Sequence, residues 1–129
     1  MQTADEVKKI LTRIISEALG TVNMVVYTWK DGIPISFVAP SQSEAEFMSV
    51  AVAAAVGALE SLSDVLSSKV KRIDIELENG EHILISTFNG SILALNTAPR
   101  PNLGLIHLIL RKYEKQIKEK GGVGFANTP

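Results

Sequence analysis

Between Glu46 and Glu60 the chain is almost uninterrupted in apolar and small residues, and its middle, residues 50–59, reads Val-Ala-Val-Ala-Ala-Ala-Val-Gly-Ala-Leu. Ser43 followed three positions later by Glu46 has the form of a capping box, which predicts a helix that starts there and ends near Leu66. A helix with no polar side has to be covered all round. One face of a sheet cannot do that. At about 1.5 Å per residue the apolar stretch 47–59 falls short of a hydrocarbon layer about 30 Å thick, so no membrane span is expected.

The segments around this helix alternate between helical and strand patterns. Val7, Ile10, Leu11, Ile14, Ile15 and Ala18 recur at helical spacing with Lys8, Lys9, Arg13 and Glu17 opposite them. Thr3 and Glu6 have capping-box form, and Gly20 stands where a left-handed stop is needed. Residues 22–29 and 33–39 are β-rich runs joined around Lys30-Asp31-Gly32, a hairpin signature. Both alternating faces of the first run are apolar, which places it at the centre of the sheet and covered on both sides.

Residues 70–78, 82–88 and 91–97, separated by Asn79-Gly80 and Asn89-Gly90, predict an antiparallel meander. Ile73, Ile75 and Leu77 alternate with Arg72, Asp74, Glu76 and Glu78, so the first of these strands is expected at an edge with one wet face. After a proline-containing loop, Leu105, Ile106, Ile109, Leu110, Tyr113 and Ile117 predict a last amphipathic helix. The order α-β-β-α-β-β-β-α implies an α+β fold, a three-layer sandwich with a five-stranded antiparallel sheet and helices on both faces. A chain of 129 residues is one domain, expected over residues 1–120, with 121–129 as a flexible tail.

Few groups remain for chemistry. The chain has no cysteine, which excludes disulfides, thiolate metal sites and a cysteine nucleophile. His82 and His107 lack metal-ligand spacing and read as solvated side chains, as do Asp74 and Glu76 on their strand. No nucleophile elbow or Walker-type loop occurs, and Gly121-Gly122-Val123-Gly124 follows a helix instead of opening one. Asn102-Leu103-Gly104-Leu105 opens a helix whose amide end could attract an anion, but an Asn cap explains the Asn equally well. No catalytic residue, cofactor or metal is expected.

A formal charge of -1, from 13 Lys and Arg against 14 Asp and Glu, supplies no general basic field for nucleic acid. Arg111, Lys112, Lys115, Lys118 and Lys120 nevertheless crowd the second half of the last helix. Cations suit the carbonyl end of a helix dipole, and Glu114 with Lys118 has i,i+4 spacing; a dock for phosphate or an acidic surface is the other reading. Asp5, Glu6, Lys8 and Lys9 do not make a secretory signal, and a cytoplasmic location is expected.

The alanine-rich helix is the main anomaly. Ala51, Ala54, Ala55 and Ala58 recur at i, i+3, i+4 and i+7, and small side chains let another helix approach closely, within the fold or in a partner. The other two helices are already available for one sheet face. The strand carrying Ile73, Asp74, Ile75 and Glu76 also has no proline or evident bulge to block its open edge. Together these eight residues form the expected homodimer interface.

Three segments carry a family resemblance: Val22-Asn23-Met24-Val25-Val26-Tyr27-Thr28-Trp29-Lys30-Asp31-Gly32-Ile33-Pro34-Ile35, the small-residue helix from Ala51 to Leu59, and Asn102-Leu103-Gly104-Leu105. In this order and spacing they resemble the roadblock/dynein light chain family over nearly the whole chain, to about Lys120. The longin and profilin folds share similar element strings. The resemblance implies a homodimer whose second helices pack together and whose third strands pair to extend one sheet across both subunits. It also implies a platform for a Ras-like small GTPase, here a free-standing prokaryotic-type regulator or scaffold. An adaptor subunit of a motor or membrane-associated complex, or a profilin- or longin-like sensor of a small ligand, is the alternative.

Overall fold

The first helix, α1 (Ala4–Glu17), turns Val7, Ile10, Leu11 and Ile14 inward. It is followed by two left-handed residues, Leu19 at φ 54° and Gly20 at φ 83°, so glycine supplies only half of the stop. The structure is a computed structural model and describes residues 4–122; Thr3 of the expected capping box and residues 123–129 of the expected tail lie outside the described residues. Strands β1 (Val22–Trp29) and β2 (Pro34–Val38) form the expected hairpin, with a register shift between Tyr27 and Thr28. Then come α2 (Gln42–Val65), β3 (Arg72–Glu76), β4 (His82–Thr87), β5 (Ser91–Thr97) and α3 (Leu103–Gln116), which runs on into a π-helical turn over Ile117–Gly122. Gly80 and Gly90 stand at φ 91° and 93° in the two Asn-Gly turns, the positive values that such turns require.

The sheet is antiparallel throughout, in the order β2-β1-β5-β4-β3. β1 is an interior strand, between β2 and β5, and is covered on both faces as expected, with β5 in the middle of the sheet. Val25 and Tyr27 join the core beneath α1 and α3, while Val26 joins the core beneath α2. The three layers are thus α1 with α3, the sheet, and α2 alone. On the two-helix side, Leu84, Leu93 and Leu95 meet Ile106, Ile109 and Leu110; on the other, Ile85, Ile92 and Ala94 meet Met48, Val52 and Val56. Each fully buried Val, Leu or Ile side chain here is worth about 1.5–3 kcal/mol.

Two local expectations change. The cap of α2 is Ser41, not Ser43: its backbone is extended, and its hydroxyl accepts from the Glu44 N–H. The helix therefore starts two residues earlier, and Ser43 lies within its first turn. In addition, β3 spans residues 72–76 in place of the expected 70–78.

Candidate self-association surface

The layer made by α2 alone leaves half of that helix open. Ala45, Met48, Ser49, Val52 and Val56 are its buried residues. On the opposite side Phe47, Ala51, Ala54, Ala58, Leu62 and Val65 are all exposed, at spacings of four, three, four, four and three residues. That is one stripe of a 3.6-residue helix. Phe47 is 78% exposed, Leu62 56% and Val65 79%. A contiguous apolar stripe of this kind marks an interaction surface in a folded domain. By length and composition α2 is also long and apolar enough to cross a membrane, contrary to the shorter stretch read from sequence. Its Val52 and Val56 face is nevertheless packed on the sheet.

Beside the stripe, a groove of about 520 Å³ separates α2 from the β3–β4 edge, with Phe47, Ala51 and Ala55 on the helix side and Ile75 and Ile83 on the sheet side. Ala55, half-buried, forms part of the groove wall, whereas Ala54 and Ala58 face outward. Of the eight residues expected at the interface, the structure therefore gathers Ala51, Ala55 and Ile75 around one groove. It places Ala54 and Ala58 on the adjoining stripe and Ile73 on the same sheet face.

Asp74 and Glu76 share the strand with the isoleucines but not the face. Pairing Asp74 with Leu84 and Glu76 with His82 puts them on the α1–α3 side of the sheet. There Asp74 Oδ1 lies 2.8 Å from His82 Nδ1, which donates its proton when Asp74 is ionised. His82 is buried, not solvated as its sequence setting suggests. Glu114 is likewise committed elsewhere than to Lys118: it accepts from Arg72 at 2.5 Å and from the Ser86 hydroxyl.

Backbone polarity completes the surface. Lys71 O accepts from Thr87 N–H at 3.1 Å and Leu77 N–H donates to Glu81 O at 2.8 Å, so the odd-numbered residues bond inward to β4. Antiparallel alternation then directs the N–H and C=O groups of Arg72, Asp74 and Glu76 to the outer edge. Sequence reasoning missed Phe47, Leu62, Val65 and Ile83. The first three are visible on extending the alanine spacing in both directions; Ile83 becomes part of the groove only through strand pairing. Among the described residues no group of three or more His, Cys, Asp or Glu could hold a metal ion.

Fold and surface define a class of small three-layer α+β domain whose single-helix layer stays open beside a bare strand edge. No family profile matches the chain. It is 29% identical over 115 residues to the uncharacterized protein MJ0714 of Methanocaldococcus jannaschii, covering 87% of this chain and 97% of that one. The Roadblock/LC7 domain from Streptomyces avermitilis superposes with a TM-score of 0.80 at 14% identity, covering 87% of this chain and 94% of that one. Myxococcus xanthus MglB superposes with a TM-score of 0.81 at 17% identity, over 90% and 87% of the two chains. The chain has the Roadblock/LC7 fold.

Proposed function

We propose that the chain is a homodimeric protein-binding platform that regulates or scaffolds a Ras-like small GTPase, with no catalytic residue of its own. The observation that carries the dimer is the open stripe of α2 lying beside the open edge of β3. A second copy related by a twofold axis covers both at once, α2 against α2 and β3 against β3. Ala51, Ala54 and Ala58 allow close approach of the two helices, while Phe47, Leu62 and Val65 supply apolar area toward the ends. The GTPase partner is supported by the fold shared with Roadblock/LC7 domains and MglB, together with the family resemblance of the three sequence segments.

Two measurements test this reading in turn. Light scattering after gel filtration, across a wide concentration range, is expected to give twice the 13.9 kDa mass of the chain. A monomer at every concentration overturns the dimer. GTP turnover by the Ras-like GTPases of the same cell, with and without the protein, is expected to change for at least one, or that GTPase is captured in one nucleotide state. No capture and no change in turnover for any of them removes the GTPase.

A further inference from the structure

We propose that the cleft between the β3–β4 end of the sheet and the second half of α3 binds a small, soluble, multivalent phosphate ligand. The cleft measures about 770 Å³ and is lined by seven of the chain's 13 Lys and Arg but only two of its 14 Asp and Glu. This concentration of positive charge occurs in a chain whose formal charge is -1. Lys69 and Lys71 enter it from the lead into β3, Arg72 from the first position of β3, and Lys30 from the β1–β2 turn. Arg111, Lys115 and Lys118 come from α3 and its continuation at i, i+4 and i+7, one stripe of the helix.

Lys112, out of phase with that stripe, reaches Glu17 on α1 at 3.4 Å. Of this basic run Lys112 thus ties two helices together, while Arg111, Lys115 and Lys118 line the cleft. A helix dipole accounts for cations near the end of α3. It does not account for four more brought against them from other elements, where like charges repel. Both carboxylates in the cleft are already engaged, Glu60 with Lys30 at 2.9 Å and Glu114 with Arg72 at 2.5 Å. The surplus charge is what a bound polyanion neutralises.

Concavity and a volume within the roughly 300–1,000 Å³ of small-molecule sites favour a compact ligand over a flat lipid surface. A phosphate chain presents several charges within one cleft and suits both guanidinium forks and ammonium groups. Lys69, Lys71, Arg111, Lys115 and Lys118 are all exposed, so their heads are accessible to it.

The test is titration of the purified protein with inorganic triphosphate at physiological ionic strength, read by calorimetry and by amide chemical shifts. Saturable binding is expected, with shifts concentrated at residues 69–72, 86–89 and 111–118. Lys71→Glu with Lys115→Glu is expected to weaken it by about tenfold or more, since charge-assisted contacts to phosphate are lost. Lys8→Glu with Lys9→Glu, both exposed on α1, changes the net charge equally away from the cleft and is expected to leave affinity within about twofold. Circular dichroism on both variants verifies that the fold is retained. No saturation, equal weakening by the two double variants, or binding only to vesicles containing anionic lipid would overturn the assignment.

Discussion

Val50 of α2 lies directly against the β1–β2 turn: a Cβ placed on Gly32 stands 3.2 Å from the Val50 Cα. Gly32 also has a φ of 92°, and its N–H donates to Trp29 O at 3.0 Å. A side chain there meets helix backbone, which can yield only if α2 moves, and it carries the strain of the left-handed region as well. Gly32→Ala is therefore expected to cost about 1–3 kcal/mol. The measurement is a urea titration, in which the midpoint falls while the slope stays constant. An unchanged midpoint would show that α2 shifts freely over the turn.

The Tyr27 hydroxyl is buried and shares a 2.7 Å hydrogen bond with Ser91 Oγ. Burial pushes its pKa above the ordinary 10, and the bond to Ser91 offsets this only in part. A phenol held neutral in the folded chain but free to ionise in the unfolded one favours folding below pH about 10. That advantage is lost as pH rises toward the folded-state value. Unfolding free energy above pH about 10 is expected to fall more steeply for the natural chain than for Tyr27→Phe. At neutral pH the variant loses about 1–2 kcal/mol with the Ser91 bond. Parallel pH curves for the two proteins would contradict the buried, un-ionised phenol.

Much of this architecture is legible in local sequence because its signals are local. The two Asn-Gly pairs mark turns by the φ values they tolerate, and the apolar spacing of α1 and α3 marks faces that the sheet then covers. The open stripe of α2 is legible as a surplus of apolar residues beyond what one sheet face can bury. What escapes local reading depends on pairing between distant segments. His82 is buried through the Thr97 and Asp74 side chains on its two flanking strands. Asp74 and Glu76 separate from Ile73 and Ile75 because the strand pleat sends them to opposite sides. The basic run of α3 resolves into two roles only when Glu17, Lys30 and residues 69–72 come beside it.

Ala54 and Ala55 are neighbours in sequence but differ in what surrounds them, and this separates folding from assembly. Ala54 is exposed on the stripe, so Ala54→Glu changes the isolated chain by no more than about 0.5 kcal/mol. In a helix-to-helix contact the same carboxylate is buried without a counter-charge, a cost of several kcal/mol. The variant is expected to run as a monomer by light scattering with its helical circular dichroism intact. Ala55→Glu enters the groove beside Ile75 and Ile83, and is expected to lower the unfolding midpoint as well. A dimer of undiminished strength in Ala54→Glu would move the contact away from this stripe.

The outward-facing backbone groups of Arg72, Asp74 and Glu76 pair even-numbered residues with even-numbered ones between copies, and charge then separates the registers. With Asp74 opposite Asp74 of the second copy, each Arg72 falls opposite a Glu76 and each Ile73 opposite an Ile75. Shifting the axis to Ile75 instead sets Asp74 against Glu76 on both sides of it, two like-charge pairs in place of the single Asp74–Asp74 pair, and loses the Arg72–Glu76 pairs, which is less favourable. Arg72→Glu alone is expected to weaken the dimer by roughly threefold to tenfold, because it sets Glu against Glu at both ends. Glu76→Arg alone should act the same way with the opposite charge. Combining the two restores opposite pairs and is expected to recover most of the affinity, measured by sedimentation equilibrium. Additive weakening in the double variant would exclude this register while leaving the α2 contact intact.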